Sequence, residues 1–312
     1  MTDQGGRQGG AATLQLHSLK QLIERDVEVS ADVVVGVVDT GVVVLGGKPH
    51  PYIEKNLVDG WQGNEDVLPE DLLELGRFDG HGTFVAGLIK HEAPTVQIDM
   101  RRGLDLSDAR KSDQVVADCI RALAGVDNLR VVNLSFFGEA AEEKQEPVEL
   151  KSALEELFGK KPGVVVVTAV ANRWTADRHW PAAFTEYFPR LIAVGATDES
   201  VTPVPGLRPP RASFCSWWDG VDVFAGGCGV LGPSVLRRIP GLVEQDTFSY
   251  STWSGASFAA AKVSGLLAKA FAGGARSAED AIKKVIPPSL PRIPLPGQSG
   301  DKPVILGNWP SE

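Results

Sequence analysis

Apolar residues in this chain gather into a few dense runs with amphipathic stretches between them. "ADVVVGVVDTGVVV" (31–44) is a nearly unbroken β-branched run, the pattern of a strand buried on both faces of a parallel sheet. Similar runs return in "LRVVNLSFFG" (129–138), "GVVVVTAVAN" (163–172) and "RLIAVGATD" (190–198), with "APTVQIDM" (93–100) a weaker one. Between them, "SDQVVADCIRALAG" (112–125) and "PVELKSALEELFGK" (147–160) have helical character. Later, "SGASFAAAKVSGLLAKA" (254–270) reads as an alanine-rich helix behind a poor strand, "TFSYSTWSG", and "SAED" (277–280) as a capping box opening a further short helix. Strands alternating with helices predict right-handed crossovers and an α/β fold, a doubly wound, mostly parallel sheet flanked by helices in three layers. Polar groups at the C-terminal ends of such strands are where a site is expected.

The ends read differently. Residues 1–25 begin rich in Gly and Gln and are expected to form a short flexible extension. Pro287, Pro288, Pro291, Pro294 and Pro296 predict an irregular, proline-rich tail over 287–312. No internal repeat or boundary divides residues 26–286, which read as one domain.

Composition narrows the partners. The 312 residues are 43% hydrophobic with 34 Gly and 21 Pro, an ordinary globular balance rich in turns. A net charge of −9 argues against nucleic acid and anionic membrane. Cys119, Cys215 and Cys228 cannot all pair within one chain and lack the short Cys/His spacings of a zinc site. They read as reduced thiols, which fits a cytoplasmic location. The opening "MTDQGGRQGGAATLQLHSLK" holds no apolar core behind a positive segment, so no secretory signal is read there. No stretch approaches the roughly 18 apolar residues of a membrane span.

Three motifs set a reactive side chain beside glycine. Asp39 in "VVDTG" ends the first run, His81 in "DGHGTFVAGLI" opens an apolar helix, and Ser257 in "SGASFAAA" opens another. Each alone has an ordinary explanation: an Asp before Thr-Gly forms turns, a His at a helix start caps or packs, and a Ser there is an N-cap. Together they are what acyl transfer needs. A hydroxyl is a weak nucleophile until a base takes its proton, and the base needs an orienting carboxylate. Glycine beside each lets a substrate backbone come close.

In the order Asp, His, Ser, the motifs "VVDTG", "HGTFVAG" and "GASFAAAKVSG" resemble those of the subtilisin-like serine peptidases. The likeness extends from residue 31 to about residue 272 and takes in "VVNLSFFG", "VVVTAVAN", "LIAVGATD" and "ASFCSWWDGVDVFAGG". It implies that Asp39 orients His81, that His81 acts as general base and then general acid, and that Ser257 attacks the scissile carbonyl. Asn172 matches the family's oxyanion position, where its amide donates beside the Ser257 backbone N–H. The expected partner is a peptide or protein substrate; the oligomeric state stays open. No cofactor is needed for the chemistry. Calcium is a common structural ion of the family, but no full set of oxygen ligands can be matched in this chain.

By the same likeness, "NLSFFG" and "TAVAN" form two walls of the pocket for the side chain preceding the cleaved bond. The implied lining is Ser135, Phe136, Phe137 and Gly138 on one wall and Ala169, Val170 and Ala171 on the other. Arg173 falls at the rim, and His179 precedes the "WP" that resembles the pocket base. Bulk from Phe137, Val170 and His179 shortens such a pocket, and Arg173 adds a cation. Small or acidic side chains are therefore expected there.

The chain also departs from the family pattern. Ala256 stands where a Thr usually precedes the nucleophile, Ala261 replaces a Pro expected in the first helical turn, Ala171 replaces a Gly, and Gly226 replaces a Pro. None removes a reacting group, although Ala256 and Ala171 motivate a second reading, a catalytically silent subtilisin-like fold used as a peptide-binding module. An α/β-hydrolase would need Gly-x-Ser-x-Gly after a strand, and position 259 is Ala. A sedolisin-like peptidase would use other acids and an Asp at position 172. Only about 30 residues precede the first strand, fewer than an inhibitory propeptide that folds the protease, though enough for an extension that blocks the cleft.

Overall fold

Strands apolar on both faces must be covered on both faces, and the chain does so with one sheet between two helical layers. The computed structural model describes residues 27–66, 68, 78–104, 112–138, 146–199, 210–238, 245–297 and 300–305, so the expected extension over 1–25 lies outside the described residues. The first half of the chain gives β1 (Val34–Asp39), β2 (Val42–Leu45), β3 (Lys48–Pro49), α1 (Pro51–Glu54), β4 (Glu65–Asp66), α2 (His81–Glu92), β5 (Gln97–Arg102), α3 (Ser112–Leu123) and β6 (Leu129–Leu134). There follow α4 (Val148–Lys160), β7 (Val165–Ala169), a 3-10 turn (Ala182–Glu186), β8 (Leu191–Thr197), β9 (Val223–Gly226), β10 (Val230–Leu236) and β11 (Thr247–Trp253). The chain closes with α5 (Ala256–Ala272), α6 (Ala278–Val285), β12 (Arg292–Ile293) and β13 (Lys302–Ile305).

The main sheet runs β12-β13-β9-β8-β7-β6-β1-β5, with parallel pairing from β13 through to β5. Its order reverses at β1, which pairs with β5 on one side and β6 on the other. The crevice of a doubly wound sheet opens at such a switch, and Asp39 is the last residue of β1. Side chains alternate across the sheet: Val165, Val167 and Ala169 join the larger core under α2, α5 and α6, whereas Val164 and Val166 join the smaller core under α3 and α4. Helices α2 and α5 pack directly on each other. Gly265 makes this close approach available, since a methyl there would sit 2.8 Å from the Ile89 carbonyl oxygen.

Three expectations need correction. Segment 247–253 is a strand, β11, paired antiparallel with β10 in a ribbon of its own. It lies outside the parallel sheet, so the turn into α5 is not the strand-to-helix elbow of an α/β-hydrolase. The proline-rich tail is not irregular throughout: β12 and β13 form within it, and Val304 is fully buried opposite Phe224 of β9. Proline density hid this: Pro303 lies within β13 opposite Arg292 of β12, and the N–H of the next residue, Val304, bonds to the Pro291 carbonyl at 2.7 Å. Finally, Ala261 lies in the second turn of α5, where a proline would deny the Ser257 carbonyl its helical N–H.

Candidate active site

β1 brings Asp39 to the crevice with its side chain wholly buried. One carboxylate oxygen, Oδ1, accepts from the Thr40 N–H at 2.8 Å and from His81 Nδ1 at 2.7 Å. A carboxylate can only accept, so Nδ1 carries a proton, and in the neutral imidazole the lone pair falls on Nε2. His81 is the first residue of α2, set there by Gly80 in a left-handed conformation (φ 77°). Its ring is enclosed by Phe78, Trp253 and Phe258, with centroids 6.1, 5.7 and 5.5 Å away.

The glycines of the two motifs explain each other. Gly41 has φ 107°, and a methyl on Gly82 would lie 2.4 Å from the Gly41 carbonyl oxygen. "DTG" and "HGT" thus meet backbone to backbone, with no room for a side chain between them. Further bonds tie them together. Thr40 Oγ1 accepts from the Gly82 N–H at 3.0 Å and donates to Asp66 Oδ2 at 2.8 Å. Asp66 Oδ2 also accepts from the Gly80 N–H at 2.9 Å. Burial pushes the Asp66 carboxyl up to about 6, against the opposing pull of Thr40 and Gly80. Sequence reading assigned no role to Thr40 or Asp66. Thr40 at least sits in a recognised motif; Asp66, in a charge-rich stretch, carried no signal.

Ser257 is the second residue of α5 and is almost fully buried. At a helix start the unpaired N–H groups and the macrodipole favour negative charge. Asn172 Oδ1 accepts from the Ala256 N–H at 2.9 Å. Because that N–H can only donate, the amide's Nδ2 must face the other way. It lies near Gly255, where a methyl would come within 3.4 Å of it. The bond uses the backbone of residue 256, so the hydroxyl missing from Ala256 does not disturb it.

The pocket residues separate on inspection. Ser135 is buried and donates its hydroxyl to the Ser257 carbonyl at 2.9 Å, bracing the backbone of the serine. Phe136 packs against the α3/α4 core, while Phe137 faces Arg173, whose guanidinium is 5.9 Å from the ring centroid, and His179, whose ring is 6.1 Å away. The two phenylalanines thus have different neighbours. The Gly138 N–H is bonded to the Trp180 carbonyl at 3.2 Å. Ala169, Val170 and Ala171 are buried, and Val170 belongs to the larger core, so its bulk is spent there. Arg173 is exposed at the loop surface and His179 is buried. Next along the loop, exposed Trp174 stacks on Arg211, whose guanidinium lies 4.2 Å from Trp174 and 4.0 Å from Trp217.

Among the described residues, no three His, Cys, Asp or Glu side chains are grouped so as to hold a metal ion. No helix there is long and apolar enough to cross a membrane.

The buried acid–imidazole pair lies at the end of β1 and the start of α2, and Phe258, next to the helix-start Ser257, packs its ring 5.5 Å from that of His81. Residues 30–289 match the model of the subtilase family, peptidase S8, and the chain belongs to that family of subtilisin-like serine peptidases. A curated relative is Subtilisin-like protease 3 of Pseudogymnoascus destructans, 30% identical over 200 residues; these are 61% of this chain and 42% of that protein. The matched region thus spans less than half of the relative's length. Among solved structures, the prenylagaramide maturation protease PagA matches with a TM-score of 0.59 and 21% identity, covering 89% of this chain and 90% of the other. A cold-adapted subtilisin-like serine proteinase matches with a TM-score of 0.57 and 22% identity, covering 84% and 85%. Both likenesses concern the fold.

Proposed function

We propose that this protein is a serine endopeptidase that cleaves peptide bonds through an acyl-enzyme. The observation that carries the reading is the 2.7 Å bond from His81 Nδ1 to the buried Asp39 carboxylate, which leaves Nε2 able to take a proton. In the reaction Ser257 Oγ attacks the scissile carbonyl carbon as His81 Nε2 removes its proton. The carbonyl oxygen becomes an oxyanion, held by Asn172 Nδ2 and the Ser257 N–H. His81 then returns the proton to the leaving amine, and water, activated by the same imidazole, releases the acid product. Asp39 stabilises the imidazolium throughout without becoming protonated. The alternative of a silent binding fold, motivated by Ala256 and Ala171, is not favoured by the family match, and the replacement at Ala256 leaves its backbone bond to Asn172 in place.

The substrate reading follows from the pocket. The rings of Phe137 and His179, 6.1 Å apart, supply the bulk that this reading places in the pocket, and the Arg173 guanidinium lies 5.9 Å from the Phe137 ring. Small or acidic side chains before the cleaved bond fit this setting, and the substrate is a restricted peptide or protein of the cytoplasm. Support for that compartment comes from three free thiols, Cys215 buried among them. The test is labelling with a fluorophosphonate followed by peptide mapping. Modification of Ser257, abolished in Ser257→Ala, is the expected result; a folded wild type that resists the reagent refutes the reading.

A further inference from the structure

We propose that Asp66 is a positioning residue for the base, holding the two peptide N–H groups that flank His81, one directly and one through Thr40. The inference rests on the serine peptidase reading and goes beyond its three reacting residues.

Proton directions force the arrangement. The Gly82 N–H can only donate, so the Thr40 hydroxyl must accept from it at 3.0 Å. The single hydroxyl proton then goes to Asp66 Oδ2 at 2.8 Å. The Gly80 N–H donates to the same oxygen at 2.9 Å. His81 is therefore clamped on both sides by donors that converge on Thr40 and Asp66. Thr40 closes the figure, since its own N–H donates to Asp39 Oδ1 at 2.8 Å beside His81 Nδ1 at 2.7 Å. Asp39, Thr40, Gly82 and His81 thus form a ring of three hydrogen bonds completed by covalent links. Asp66 stands outside it and fixes which way the Thr40 hydroxyl points. Without that acceptor the hydroxyl can rotate, its lone pair leaves the Gly82 N–H, and the start of α2 is free to shift relative to β1.

Two further observations agree. Gly80, His81 and Gly82 begin α2, whose first N–H groups lack helical partners and attract a carboxylate. The bond from Thr40 to Asp66 also joins β4 to the end of β1, although Asp39 and Asp79 both repel charge at Asp66. A displacement of about 1 Å in a catalytic group costs up to about a hundredfold in rate.

The experiment uses the full chain and counts competent sites by fluorophosphonate titration, so that kcat is expressed per active molecule. In Asp66→Ala, kcat falls by about tenfold or more with KM within about twofold. Thr40→Val falls similarly, and the double variant is no worse than the poorer single one. Asp66→Asn, whose amide oxygen can accept both bonds, keeps kcat within about threefold. The low-field proton resonance of the His81 Nδ1–H stays sharp in the wild type and Asp66→Asn and broadens in Asp66→Ala. Unchanged kcat per site in Asp66→Ala overturns the proposal, as does a lowered kcat with an unaltered His81 resonance. Should that variant not fold, Thr40→Val carries the test, and wild-type kcat there overturns it. A wild type inert to the fluorophosphonate overturns the peptidase reading and this proposal with it; an active wild type indifferent to Asp66→Ala overturns this proposal alone.

Discussion

The corner that holds Asp39 and His81 and the wall of Phe137 against Arg173 and His179 are made of different materials. The corner is a lattice of directed hydrogen bonds between 2.7 and 3.0 Å, closed by two glycines in backbone contact. The wall is held by ring and cation contacts near 6 Å, which tolerate movement and substitution. Proton transfer demands placement to a fraction of an ångström, so the corner is built from interactions that fail abruptly. Choice among side chains needs only a few tenths to a few kcal/mol, and soft packing supplies it. A fold can therefore change what it cuts without touching how it cuts.

The comparison breaks most visibly if His81→Ala fails to remove activity. Its expected loss in kcat is on the order of 10⁴-fold or more, with little added by a second change at Ser257, because the residues act as one unit. A variant retaining a tenth of the rate would show that another group serves as base. Next in size is Asn172→Ala, where kcat should drop about a hundredfold with KM nearly constant, as in subtilisin, the reference case for this interaction. A loss carried by KM would assign Asn172 to ground-state binding. Gly82→Ala probes the corner's rigidity, since its methyl must displace the Gly41 carbonyl. We expect a fall in kcat of about tenfold and a stability loss of about 1–3 kcal/mol, read from urea unfolding. A variant with wild-type stability would mean that the contact is slack. Smallest is Arg173→Ala on the wall, which should erase an acidic-over-basic preference worth about 1 kcal/mol, or several-fold in kcat/KM. In the wild type this preference should shrink at high salt. Peptide-library digests check both, and cleavage mainly after Phe, Tyr or Lys would refute the pocket argument altogether.

How much was legible follows the same division. Asp39, His81 and Ser257 were legible as candidates because each sits in a short motif whose glycine and whose place at an element end are local properties. The central strands were legible for a similar reason, since burial on both faces writes itself as an unbroken β-branched run. Asp66 could not be found, because its bond to Thr40 spans 26 positions and no periodicity marks it. Strands β12 and β13 were hidden by prolines, although Ile293, Leu295 and Val304 are all buried. Phe136 and Phe137 were read together on one wall, and the sequence held no sign that Phe136 packs on the α3/α4 core while Phe137 meets Arg173 and His179.

The backbone contact between Gly41 and Gly82 also bears on descent. Two positions that touch without side chains are inherited as one character, since a change at either is acceptable only if the other loop has already moved. Stability alone would keep the pair, since a methyl on Gly82 must displace the Gly41 carbonyl whether or not the chain cleaves peptides. Among homologous chains, a side chain at either place should then be accompanied by a shifted loop at the other.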